Sequence, residues 1–241
     1  MIDLMLIGVI AIVTWMVAGE GPWGAALTLF AVVISGLVAM NLFEPVAALL
    51  ESLSNASVEW RHMVDIIALL GIFSLCVFGL RSATDYLMPV YVEVHTLVYD
   101  IGRWAFALIT GYVVAAILLT ALHTAPLGRE PFGFKIERPG GNLFDFDAPD
   151  LRWLAFVQYA SESSLSGGAV FDGNKEEIPR RLPPTPQRTW SSFPFKYAKR
   201  REDYVSAAKL VAGPPPPPGG APGPAPMPNA PPPKGGGANL F

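Results

Sequence analysis

The chain has 241 residues, of which 51% are hydrophobic and only 15% are Asp, Glu, Lys or Arg, against roughly 25% charged in an average soluble domain. A net charge of −3 excludes a strongly basic nucleic-acid binder, and a single cysteine, Cys76, excludes an intrachain disulfide framework or a Cys-rich metal site. The average hides unlike parts: residues 1–125 hold nine acids and three bases, residues 126–241 hold eleven acids and fourteen bases, and half of the 24 prolines follow residue 212.

Four stretches of the first part are nearly free of charge: Leu4–Ala18, Trp23–Phe43, Ile66–Leu80 and Trp104–Leu122. A spanning helix needs about 20 apolar residues. The second and fourth stretches meet this as they stand, and the first and third do so once the residues at their ends are counted in. None carries a polar stripe at 3.6-residue spacing, as the helices of a soluble core would. The expected fold is therefore all-α, with a four-helix transmembrane bundle over residues 1–125. The first stretch does not read as a signal peptide, because Asp3 stands where a positive start is needed and a second apolar run follows at once. The two runs instead form a hairpin turned by Gly19-Glu20-Gly21-Pro22. The same turn spells Gly19-x-Gly21-x-x-Gly24, but no strand precedes it and Glu20 would repel phosphate, so it is not a dinucleotide fingerprint.

Close packing between helices in lipid relies on small residues. Ala31, Ser35 and Ala39 recur at four-residue spacing on the second helix, and Ala107, Gly111 and Ala115 do so on the fourth. These two stripes are the candidate packing surfaces, within one chain or between copies in a homo-oligomer. Charges beside a bilayer are functional candidates by default, here Asp3, Asp65, Arg81, Asp100 and Arg103, all at the boundaries of the apolar stretches. The spacing lets Arg81 pair with Asp85 and Asp100 with Arg103 on single helical faces. The link Ser82–Tyr99, interrupted by Pro89, is apolar enough to lie in the interface or to re-enter the membrane. Arg61, Arg129, Lys135 and Arg138 on one face outnumber Arg81 and Arg103 on the other, which favours both termini in the cytoplasm.

Nothing points to catalysis or to a cofactor. His62, His95 and His123 flank different segments, and no nucleophile elbow or His-Glu-x-x-His helix occurs. Asp145, Asp147 and Asp150 lack the glycine and distal glutamate of a calcium loop, so no metal site is expected. Residues 126–212 form a polar extramembrane region. Within it Leu151–Leu165 reads as a helix capped by Asp150, packed on the membrane part or lying on the bilayer. The basic aromatic segment Arg180–Arg201, with Trp190, Phe193, Phe195 and Tyr197, suits contact with an anionic leaflet or a solvated linker. Residues 213–241, with twelve prolines and seven glycines, form a disordered, extended tail, a candidate arm for a cytoplasmic protein partner.

The membrane part resembles the bacterial colicin V production protein family, small inner-membrane proteins with about four spanning helices. The resemblance is carried by Met1-Ile2-Asp3-Leu4 before the first helix, the Gly19–Gly24 turn into a second long helix, a third apolar helix, and Asp100-Ile101-Gly102-Arg103 leading into a fourth helix that contains Gly111. It covers roughly residues 1–125. It implies a multi-pass protein of the bacterial inner membrane, acting in toxin production or export or in envelope maintenance, without a defined chemistry. Two other functions fit the same residues: a small oligomeric channel or transporter built around the small-residue stripes, and a membrane anchor whose C-terminal arm recruits a partner.

Overall fold

The computed structural model describes residues 2–53, 58–87, 95–125, 148–163, 171, 193–194, 197 and 206. The described elements are five helices and no strand: α1 (Ile2–Ala18), α2 (Gly21–Leu53), α3 (Val58–Leu87), α4 (Thr96–Thr124) and α5 (Pro149–Glu162). Three of them, α2, α3 over Met63–Leu87, and α4, are long and apolar enough to cross a membrane. The expectation of four spans is met at these three. The 17 residues of α1 rise only about 25 Å, short of a hydrocarbon core of about 30 Å.

The helices run well past the apolar stretches that announce them. The 33 residues of α2 rise about 50 Å, carrying the helix through Glu44 and Pro45 to Leu53. Pro45 has no N–H to donate, so one backbone bond is lost beyond the apolar run rather than within it. The expected link Ser82–Tyr99 is mostly helical at its ends, because α3 continues to Leu87 and α4 begins at Thr96. Only residues 88–94 of it lie outside the described residues. His95 caps α4, its Nδ1 accepting the Leu97 N–H at 3.4 Å.

Between α1 and α2 the chain reverses at Gly19-Glu20, and Gly21 adopts φ +78°. A side chain there would be strained by its backbone and would also meet the Tyr99 hydroxyl, 3.0 Å from the Cβ position. Despite this short turn, α1 packs chiefly along α4 and only slightly along α2. Its start, Ile2 and Leu6, meets Ala115 and Leu119, and its end, Val17 and Ala18, meets Ala107 and Ala25. The run of contacts makes α1 antiparallel to α4. α4 and α2 form the centre, with α1 against α4 and α3 against α2.

A main core joins α2, α3, α4 and α5 through Phe43, Leu69, Phe73, Ile117, Trp153, Leu154 and Val157. Phe193 and Tyr197 complete it, each 2% exposed. Phe193 therefore belongs to the folded core and not to a solvated linker. Residues 1–205 form one compact unit and residues 206–241 a second, and the tail 213–241 lies outside the described residues.

The bundle is held at short range by missing side chains. A Cβ on Gly111 would lie 2.8 Å from both the Ile10 carbonyl oxygen and Thr14 Oγ1, whereas one on Gly8 would meet nothing within 4 Å. Gly111→Leu should therefore separate α1 from α4 and lower stability by about 1–3 kcal/mol. Gly8→Leu, as a control, should fold as the parent does. Reversible unfolding in mild detergent measures both.

Candidate functional site

α4 ends in a residue rarely left inside a membrane protein without a purpose. His123 sits in its last turn and is fully buried, and its Nε2 lies 2.8 Å from Asp150 Oδ2 in the first turn of α5. Asp150 is 2% exposed. The distance is that of a hydrogen bond, with one proton held between the ring Nε2 and the carboxyl Oδ2. Removing two such groups from water is costly, and the cost is met only when they bond each other in good geometry.

The local sequence explains why Asp150 is available. It does not cap α5, as its position before the apolar run suggests. Ala148 is the N-cap and makes no side-chain bond, Pro149 opens the helix, and α5 runs over Pro149–Glu162 rather than 151–165. Pro149 brings its own fixed φ and needs no N–H partner, which frees the aspartate one residue later to point at α4. In the first turn its charge also favours the positive end of the helix dipole.

Around the pair stand aromatic rings. Phe193 meets the His123 ring edge-on at 6.5 Å between centroids, and Tyr197 and Phe43 pack on Phe193 at 4.6 and 6.0 Å. Trp153 is wedged between helices: a Cβ at Gly36 would fall 2.5 Å from its Cζ2 and 2.8 Å from Ile117 Cδ1. Gly36 is thus the notch on α2 that admits α5. Among the described residues, Asp150 Oδ1, Trp153 Nε1, Gln158 Oε1 and Ser35 Oγ have no hydrogen-bond partner.

A second cluster of charge occupies the opposite end of the bundle. Arg81 reaches Glu20 at 2.9 Å and Asp85 at 3.0 Å, and Thr28 donates to the same Glu20 oxygen at 2.8 Å. The arginine thereby ties the α1–α2 turn to the end of α3. Arg103 pairs with Asp100 at 3.0 Å and lies 5.7 Å from the ring centres of both Tyr99 and Trp104. These partly exposed pairs contribute about 0–1 kcal/mol each and serve mainly to position the helix ends.

The remaining expected residues are placed as follows. Ala31, Ser35 and Ala39 are buried on α2, and Ala107, Gly111 and Ala115 on α4, where Gly111 and Ala115 face α1. Asp3 is half-buried in the first turn of α1, and Asp65 is half-buried on α3. Asp145 and Asp147 lie outside the described residues, as does the side chain of Arg61. No group of three metal-ligating side chains occurs among the described residues. The His–Asp pair joins the last turn of α4 to the first turn of α5. Comparison with protein families, curated proteins and solved structures finds no match to this chain.

The fastening is open to direct measurement. Asp150→Ala leaves a buried imidazole without its carboxylate and should cost about 2–4 kcal/mol. His123→Phe keeps the ring volume, and the double variant should be less destabilised than the two single losses added, by about 0.5–3 kcal/mol. Gly36→Leu should dislodge Trp153 and reproduce the loosening with the pair intact. Thermal unfolding in detergent, with trypsin cleavage within α5 as a local probe, reads all four variants.

Proposed function

We propose that the chain is a multi-pass protein of the bacterial inner membrane, similar in role to the colicin V production proteins, with no chemistry of its own. It acts in toxin production or export or in envelope maintenance, as an anchor that presents its C-terminal arm to a cytoplasmic protein partner. The short α1 crosses the bilayer together with the three long helices α2, α3 and α4, with both termini in the cytoplasm. The observation that carries this reading is the docking of α5: a buried His123–Asp150 pair and a tryptophan in a glycine notch attach the chain beyond α4 to the spanning bundle. Rigid attachment at the root of a proline-rich arm is what an anchor requires, and a freely hanging tail would not need it. The fourth span is supported by α1, which follows the spanning α4 from Ala107 to Leu119.

An oligomeric channel built around the two small-residue stripes has less support. Five of their six residues are less than 4% exposed within the single chain and Gly111 is buried against α1, so neither stripe is left to line a pore.

Reporters fused after Gly21, Ser54, Val92 and Gly128 test the arrangement. Those at Ser54 and Gly128 should report cytoplasm and those at Gly21 and Val92 the opposite side, with the protein resisting carbonate extraction. Release by carbonate, or Gly21 on the same side as Ser54, would defeat the four-span reading. Removal of Gly213–Phe241 should abolish partner recovery while leaving membrane insertion unchanged; unchanged partner recovery would count against the anchor.

A further inference from the structure

The side of α5 turned away from the bundle carries large side chains that stay exposed within the chain, even though Phe156 packs on Trp153 at 5.5 Å between centroids. Arg152, Phe156 and Tyr159 follow one another at four- and three-residue spacing, which is one helical stripe. All three are exposed, Phe156 at 41% and Tyr159 at 65%. The opposite stripe of Trp153, Leu154, Val157 and Ala160 is buried.

The depth of α5 follows from what its buried side touches. Trp153 reaches the Gly36 notch and Ile117, and both belong to the uninterrupted apolar runs Trp23–Phe43 and Trp104–Leu122. Gly36 precedes Phe43 by seven residues, about 10 Å of rise, and Ile117 precedes His123 by six, about 9 Å. A helix whose tryptophan extends that far into the apolar runs has its backbone at their ends, not in the water beyond. Both ends of α5 also lead back to one level of α4. Asp150 bonds His123 directly. At the other end Ser161 Oγ accepts the Phe171 N–H at 3.0 Å, Phe171 stacks on Phe193 at 6.0 Å, and Phe193 meets His123.

We infer that the Arg152–Phe156–Tyr159 face of α5 is a lipid-contact surface, lying at the boundary between phospholipid headgroups and acyl chains. The inference rests on the membrane reading proposed above. Tyrosine sits at this boundary because it offers apolar contact to the ring and water to the hydroxyl, and phenylalanine belongs to the apolar face of an interfacial helix. Arginine suits it because its stem stays with the apolar layer while the guanidinium reaches headgroup phosphates. α5 is then clamped on one side by the bundle and wetted by lipid on the other. It forms a collar where the chain leaves the bilayer.

Site-directed spin labelling of the full chain in phosphatidylcholine–phosphatidylglycerol vesicles tests this. Single cysteines are placed by Phe156→Cys and Tyr159→Cys in a Cys76→Ser background, with Leu75→Cys on the exposed side of α3 as reference. Collisions with oxygen should exceed those with a water-soluble nickel chelate several-fold at 156 and 159, at a depth shallower than at 75. Labels open to nickel at 156 and 159 would put the face in water. Labels shielded from both reagents would mean a protein covers it. Either result overturns the inference while an oxygen-rich signal at 75 leaves the membrane reading standing. A nickel-accessible label at 75 would overturn both.

Discussion

The hydrogen bond between His123 and Asp150 is the constraint on which the rest of the arrangement depends. Both side chains are removed from water almost completely, so neither is tolerable there without the other. The pair spans 27 residues of sequence and therefore closes a long loop, at an entropic cost that grows only slowly with its length. What it secures is the start of α5. With Asp150 held, one turn of helix brings Trp153 over Gly36 and Ile117, and the next brings Leu154 and Val157 into the core. Phe193 and Tyr197 close over the same place from a distant part of the chain. Their rings remove the pair from solvent, and that exclusion strengthens the bond they cover.

The helices below the pair are assembled on a different principle. Lipid tails are as apolar as leucine, so burial alone gives helices no reason to associate, and close contact must supply the attraction. Glycine provides it at two places of opposite purpose. Gly111 lets the backbone of α1 approach α4, and Gly36 accepts a side chain from outside the bundle. Thr110, Thr120 and Thr124 donate to carbonyls three or four residues earlier in α4 at 2.8–2.9 Å, whereas Thr14 of α1 donates across to the Ala107 carbonyl of α4 at 3.4 Å. Orientation at the opposite end is left to charge, through Glu20, Arg81 and Asp85.

Local features were legible in the amino-acid sequence, and distant ones were not. Four apolar runs marked four of the helices, because hydrophobic length is read directly. The apolar runs end before the helices do, since hydrophobic length marks only the part that lipid would cover while Glu44, Asp85 and Asp100 remain helical beyond it. The pairs Arg81–Asp85 and Asp100–Arg103 were visible because helical geometry fixes partners four and three residues apart. Glu20–Arg81 and His123–Asp150 had no such spacing to betray them. Asp150 has the form of a cap, an aspartate before an apolar run, and Pro149 is the signal that the cap lies two residues earlier, at Ala148. Phe193 and Tyr197 were obscured by the basic residues interleaved with them, and only a helix end with Phe43 and His123 exposed toward them explains their burial. Gly36 fell just outside the Ala31–Ser35–Ala39 stripe, and its function depends on a tryptophan more than a hundred residues away.

The fastening of α5 to the bundle is what joins the chain beyond α4 to the helices. Hydrogen–deuterium exchange of the full chain in lipid nanodiscs measures this directly. The backbone amides of Leu154–Ser161 should exchange about as slowly as those in the last turns of α4, and in Asp150→Ala they should become fast while α2 and α4 keep their protection. Rapid exchange across Leu154–Ser161 in the unaltered protein, at the rate of a frayed or isolated helix, would contradict it.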